Sequence, residues 1–202
     1  MIKKDTYKTI EVAIGDALFK EKGSKFIGYA FPVSSEDEVK IHIDELKKKH
    51  HSARHWCYAW QIGVEDIQYR ANDDGEPNNS AGQPIYGQIL SKEITNVLVV
   101  VVRYFGGTKL GVGGLISAYK TTAKLILDEA NVIEKTIDVS FKLNFEYVDI
   151  NKVMRIIKEH DLIQFDQTQL RALFRFGSTL RFRVAIRSGL GININQGRSK
   201  IR

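Results

Sequence analysis

The chain has 202 residues, 43% apolar and 27% charged, which is ordinary globular usage and excludes a chain disordered throughout. Its longest apolar run, Val97–Val102, is six residues, too short to cross a bilayer, and its single cysteine, Cys57, excludes an internal disulfide or a cysteine-rich zinc site. The net charge of +6 lies wholly in the last stretch: residues 1–160 hold 22 basic and 22 acidic side chains, whereas residues 161–202 hold seven Arg and one Lys against two Asp. The main body therefore has no overall bias toward polyanions. With no apolar stretch behind the charged start Met1–Thr6, the expected compartment is the cytoplasm.

Residues 7–14, with Tyr7, Ile10, Val12 and Ile14, and residues 16–22 read as short strands, and Lys22-Gly23-Ser24 as a turn before a strand at Phe26–Val33. Ser35 and Glu38 have capping-box spacing. They open a helix whose Val39, Ile43, Leu46 and His50 share a face and whose last turn holds Lys47-Lys48-Lys49. His55–Ile62 alternates with a period of two, placing His55, Cys57 and Ala59 on one face and Trp56, Tyr58 and Trp60 on the other. That aromatic set is a base-stacking platform or core, and core is expected because antiparallel sheets commonly bury one face. Residues 70–84 read as a polar loop and Ile85–Leu90 as a short helix.

Val97–Val102, apolar at every position, predicts a central strand covered on both faces. A glycine-rich loop follows, then a helix to about Ala130 with Leu115, Tyr119, Thr122, Ala123 and Ile126 inward and Asn131 at its C′ position. Residues 132–137 read as a linker. Beyond it come a strand at Val139–Tyr147, a helix at Asp149–His160 with the stripe Ile150, Val153, Met154 and Ile157, and a hairpin of Leu170–Phe176 with Leu180–Ile186 around Gly177-Ser178.

Three stretches could carry chemistry. Gly106, Gly107, Gly111, Gly113 and Gly114 fall within nine residues, between a buried strand and a helix, with Arg103 and Lys109 beside them. Free N–H groups at the helix start suit an anion. Arg54 and Lys120 are further candidate contacts. The loop is not a Walker A motif, because Val112 stands where lysine is required; a tight strand-to-helix turn is the other reading. The second stretch carries Asp73, Asp74 and Glu76, which could hold a divalent ion or act as acid and base. The alternative is that they organise the turn by pairing with Arg70, Arg103 or backbone N–H groups, and that is the expectation, since no second ligand cluster is visible. In the third, Cys57 near His55 reads as a small buried residue rather than a nucleophile. Zinc held by His50, His51 and His55 would need a helix end and a strand to converge.

Taken together, Ser24-Lys25-Phe26-Ile27, the Ala53–Tyr58 segment, Asp73-Asp74-Gly75-Glu76-Pro77 with Ala81-Gly82-Gln83-Pro84, and Val101–Gly107 with Lys109-Leu110-Gly111, Gly113-Gly114-Leu115 and Ala118-Tyr119 resemble the YigZ/IMPACT family. The resemblance implies an α+β protein of two domains. Residues 1–131 would form a two-layer α/β sandwich similar to domain 2 of ribosomal protein S5 and domain IV of elongation factor G. Residues 138–202 would form a small ferredoxin-like domain, incomplete after about residue 161. There the shift from Lys to Arg and the absence of Glu are what an altered reading frame would give. Eukaryotic relatives act in translational control by binding a regulator of a stress kinase, and RNA or ribosome binding is the usual inference for bacterial ones. No catalytic residue is established for the family, so none is carried over, and no cofactor or metal is expected here. This chain departs from the family pattern at Asn78-Asn79-Ser80 and at Ile116-Ser117, where the second change removes an arginine that could contact phosphate. The resulting expectation is a non-enzymatic protein that contacts RNA or the ribosome. A metal-assisted hydrolase or phosphate-handling enzyme using Asp73, Asp74 and Glu76, and a protein-interaction module for a translation factor, are the alternatives.

Overall fold

The computed structural model describes residues 6–160, 163–170 and 179–187, with residues 138–147, 163–170 and 179–187 described by their backbone alone. The chain divides into two compact units, one spanning Tyr7–Lys135 and the other containing the residues that follow.

The first unit runs β1 (Thr6–Ile10), β2 (Ile14–Glu21), β3 (Ser24–Pro32), α1 (Glu36–Lys49), β4 (His55–Ile62), β5 (Gln68–Asn72), α2 (Gly82–Ser91), β6 (Val97–Tyr104), α3 (Gly111–Glu129) and β7 (Val132–Thr136). Five strands form an antiparallel sheet in the order β2-β3-β6-β4-β5, and β1 pairs with β7 separately. β6 is central because its side chains are apolar on both faces. Val97, Val99 and Val101 join a core with Ile85 and Ile89 of α2 and Leu115, Tyr119, Ala123 and Ile126 of α3. Leu98, Val100 and Val102 join a second core with Val39, Ile43 and Leu46 of α1 and with Trp60.

The expected cover on both faces is present, and it corrects the two-layer arrangement: α1 closes the face opposite α2 and α3, so the domain has three layers. Trp56, Tyr58 and Trp60 lie against that second core rather than on an open platform. Ser35 caps α1 by accepting from the Glu38 N–H at 3.3 Å, but the Glu38 carboxylate reaches back one residue further than a capping box requires, to the Ser34 N–H at 2.7 Å.

Other boundaries shift for local reasons. The first strand stops at Ile10, where Glu11 turns to donate its N–H to the Asn131 carbonyl, and Val12 is left exposed. Asn131 thus ties down a strand end, and α3 ends in an extended Ala130 without a left-handed residue. β5 overlaps the start of the stretch read as loop: it is a five-residue edge strand with mostly exposed side chains, and its alternation is limited to Tyr69 and Ala71 before the turn residues Asp73-Asp74-Gly75 begin. α2 begins three residues earlier than expected, and its first turn accepts Pro84 because N–H groups there need no helical partner. Residues 132–136, read as linker, form β7.

The second unit contains β8 (Asp138–Glu146), a 3-10 turn at Tyr147–Asp149, α4 (Ile150–Glu159), β9 (Ile163–Leu170) and β10 (Thr179–Arg187). β10 lies between β8 and β9 and is antiparallel to both, a split β-α-β arrangement. In α4 Val153 and Ile157 are buried, while Met154, expected in the same stripe, is 42% exposed. β9 at 163–170 pairs with β10, with Leu170 opposite Thr179, and residues 171–176 of the expected first hairpin strand lie outside the described residues. The expected turn at Gly177-Ser178 and the tail 188–202 lie outside the described residues.

Leu98 is fully buried under α1, so Leu98→Ala should lower unfolding free energy by about 2–5 kcal/mol. Leu18→Ala, at a half-exposed position of the edge strand β2, should change it by less than about 0.5 kcal/mol. Urea denaturation of both variants checks the difference.

Candidate functional site

The β2–β3 turn, the segment before β4, the loop from β5 to α2 and the loop from β6 to α3 meet at one end of the first unit. Their meeting point is set by the last two residues of β6. Strand alternation sends Arg103 to the α2/α3 face, continuing the row Val97, Val99, Val101, and sends Tyr104 to the α1 face. Arg103 pairs in register with Phe26 on β3 and His55 on β4.

A guanidinium placed there is 5% exposed and needs a countercharge. Glu76 supplies it. Arg103 Nη1 donates to Glu76 Oε1 at 2.6 Å, and the two side chains are 6% and 4% exposed. The same carboxylate oxygen accepts from Tyr119 of α3 at 2.8 Å and lies 3.9 Å from His55 Nε2. Phe26 and Phe105 flank the guanidinium, their ring centroids 5.4 and 5.6 Å from Cζ. Cys57 lies 3.0 Å from the Asp73 carbonyl oxygen and 3.2 Å from the Tyr119 hydroxyl. Burial raises both the Cys57 and the Tyr119 pKa far above their usual values, so the pair stays protonated and Cys57 is no thiolate nucleophile.

The other two carboxylates serve the backbone. Asp73 accepts from the N–H groups of Asn79, Ala81 and Gly82 at 2.8, 2.9 and 2.8 Å, and so caps α2 from nine residues before its first residue. Asp74 accepts from the Trp56 N–H at 2.7 Å, and its carbonyl lies 2.8 Å from His55 Nδ1. Asp74 and Gly75 adopt left-handed backbone with φ of 42° and 84°, which folds the segment tightly enough for adjacent carboxylates to point in different directions. Among the described residues no cluster of His, Cys, Asp or Glu side chains is arranged to hold a metal ion. His50 lies under α1, hydrogen-bonded to Tyr29 and Tyr104, and His51 is exposed, so the histidines do not converge with His55.

The glycine-rich stretch divides in two. Gly106 and Gly107 lie in an exposed loop, while Gly111, Gly113 and Gly114 form the first turns of α3. Gly106 is required by contact: a Cβ there would stand 1.9 Å from the Gly23 carbonyl carbon, and the Gly106 N–H donates to Ser24 Oγ at 3.2 Å. No side chain caps the start of α3. Lys109 and Lys120 are exposed, and Arg54 is exposed with its guanidinium 5.9 Å from the Phe105 ring centroid. Arg103, grouped with them on sequence spacing, lies instead inside the fold. The packing of Gly23 on Gly106 brings Lys22 to the same end, a residue the sequence reading passed over. Tyr119 was read only as core, although a tyrosine on a buried helix face needs a hydroxyl partner and so signals a nearby acceptor.

Fold and site define an antiparallel α/β/α domain whose basic, glycine-bearing loops stand over a buried ion-pair network. The Impact N-terminal domain family matches residues 22–127. The chain belongs to the IMPACT family. It is 35% identical over 158 residues to the IMPACT family member YvyE of Bacillus subtilis, covering 78% of this chain and 72% of that one. It is 32% identical over 142 residues to the IMPACT family member YigZ of Escherichia coli, covering 69% and 70%. Among solved structures, the crystal structure of a hypothetical protein matches with a TM-score of 0.71 at 24% identity, covering 90% of this chain and 86% of that one, a likeness of fold.

Arg103→Met and Glu76→Leu each leave a buried charge without its partner, and each should lower unfolding free energy by about 3–5 kcal/mol. The double variant Arg103→Met/Glu76→Leu should lose far less than the sum of the two singles. Denaturant titration of the variants measures the coupling.

Proposed function

We propose that the chain is a non-enzymatic, translation-associated protein that acts in the cytoplasm and contacts RNA or the ribosome through the loop end of its first unit. The observation that carries this reading is a separation of charge. Asp73, Asp74 and Glu76 turn inward to N–H groups, Arg103 and Tyr119, while Lys22, Arg54 and Lys109 are exposed on three neighbouring loops. Uncapped N–H groups at the start of α3 lie beside Lys109 and suit a phosphate oxygen. Membership of the IMPACT family, with the role in translational control that the sequence resemblance implies, gives the biological setting. On this reading the first unit has the fold of domain 2 of ribosomal protein S5 with α1 added on the second face. The strands β8, β9 and β10 with α4 are the first part of a ferredoxin-like domain. The hydrolase alternative would need carboxylates free to hold a metal ion, and all three in the 73–76 loop are engaged.

A second reading has its own observation. Phe105, Val112 and Ile116 are 40%, 51% and 38% exposed on the same loop and the first turns of α3, apolar surface that fits a protein partner in translation control.

Lys109→Ala should weaken RNA or ribosome binding for all sequences alike and reduce the slope of log affinity against log salt by about one unit, with Tm unchanged. The full chain and the variant are compared by filter binding at several salt concentrations, with a melting curve for each. Equal salt slopes would remove the nucleic-acid reading. Loss of a co-purifying protein in Ile116→Asp would then favour the interaction module.

A further inference from the structure

The sheet face under α1 holds a second polar chain, remote from the Arg103 network. Tyr29, 3% exposed, donates its hydroxyl proton to Asp16 Oδ1 at 2.5 Å and lies 2.7 Å from His50 Nε2; His50 Nδ1 lies 2.8 Å from the Tyr104 hydroxyl. With the phenol proton committed to the carboxylate, Nε2 donates to Tyr29 and Nδ1 accepts from Tyr104. Burial, and then Lys49, hold the His50 pKa below its usual value, which keeps the ring neutral in this arrangement. Every hydrogen bond in the chain therefore points toward Asp16. The Tyr29 hydrogen bond first, and Lys49 as well, hold the Asp16 carboxyl below the usual carboxylate range. Asp16 is a fixed negative charge, set at a bulge of β2 with φ of 70°.

Asp16 and Tyr29 line a cavity of about 440 Å³ between β2, β3 and α1, with Phe31, Glu45, Leu46 and Lys49 on its walls. That size falls within the roughly 300–1,000 Å³ of small-molecule sites. The Tyr29 and Phe31 rings stack at 6.4 Å with planes 15° apart. The Lys49 ammonium stands 4.8 Å from the Tyr29 ring centroid and 3.2 Å from Asp16 Oδ1, on a side chain that is 52% exposed. A cation of the protein itself thus occupies the point where an ammonium meets both a carboxylate and an aromatic face. Glu45 adds a second carboxylate to the wall. An anion would meet two carboxylates, the Tyr29 ring face and one lysine that Asp16 already neutralises.

We propose that this cavity binds a small organic cation, a primary ammonium or guanidinium on a short aliphatic stem, which takes the place of Lys49 against Asp16 and Tyr29. The stem lies against Leu46 and Phe31, and the Tyr29 hydroxyl orients the Asp16 carboxylate, 70% exposed, at the cavity rim.

The test titrates agmatine, which carries a guanidinium and an ammonium, into the isotope-labelled full chain, with glutarate as the anionic control. Saturable amide shifts at Asp16, Tyr29 and Leu46 are expected with agmatine and not with glutarate. Asp16→Asn should abolish them; asparagine tolerates the left-handed backbone, and a melting curve confirms folding. Lys49→Ala should tighten agmatine binding by about 3- to 10-fold, because it removes a competitor held by one exposed ion pair and one cation–π contact. Absent shifts, equal shifts with glutarate, undiminished binding in folded Asp16→Asn, or unchanged or weaker binding in Lys49→Ala would each overturn the proposal. If Asp16→Asn does not fold, the Lys49→Ala affinity decides it.

Discussion

One ion pair organises the loop end of the first unit. β6 is apolar through Val102, and the next residue on its inner row is an arginine that stays inside the fold. A charge in that position is stable only with a partner, and Glu76 has to come from outside the sheet to provide one. Bringing Glu76 inward fixes the segment around it. Asp73 then caps α2, Asp74 holds the backbone of β4 at Trp56, and Tyr119 ties α3 to the same carboxylate. The sheet, two helices and the loop between β5 and α2 thus share one electrostatic centre.

That arrangement also shapes the surface. Carboxylates that would otherwise offset nearby cations are consumed below it. Lys22, Arg54 and Lys109 stand above, around the Gly23–Gly106 contact. Because Arg103 and Tyr104 point to opposite faces, the same strand end feeds two separate polar networks. One closes on Glu76 beneath the loops, and the other runs through His50 and Tyr29 to Asp16 at the cavity beside α1.

Much of this was legible in the sequence where pattern and physics agree. Six consecutive apolar residues placed β6 at the centre with both faces covered, and that local signal was a better guide than the two-layer fold implied by resemblance, since it already required a helix on each side. The period-two reading of His55–Ile62 and the apolar stripe of α1 placed their side chains as found. The acidic loop was legible as a turn that pairs its own carboxylates, with Arg103 among the expected partners. The error lay in also counting Arg103 as a surface contact. Its parity with Val97, Val99 and Val101 places it on the inner row, a clue available without coordinates. β5 left only a faint clue, because Tyr69 and Ala71 are its whole apolar alternation and the turn residues Asp73-Asp74-Gly75 follow at once. The start of α3 was hidden by Gly111, Gly113 and Gly114, which disfavour helix locally and are held there by packing of the later turns.

The central claim is that the Arg103–Glu76 pair holds these elements as one unit. Amide hydrogen exchange of Arg103→Met against the natural chain, under conditions where both are folded, tests it most directly. The account predicts that the amides of Trp56, of Asn79, Ala81 and Gly82, and of Gly106, which donate to Asp74, Asp73 and Ser24 respectively, lose protection together by about tenfold or more, the factor that corresponds to about 1.4 kcal/mol. Loss of protection confined to Gly106, with Trp56, Ala81 and Gly82 unchanged, would contradict it.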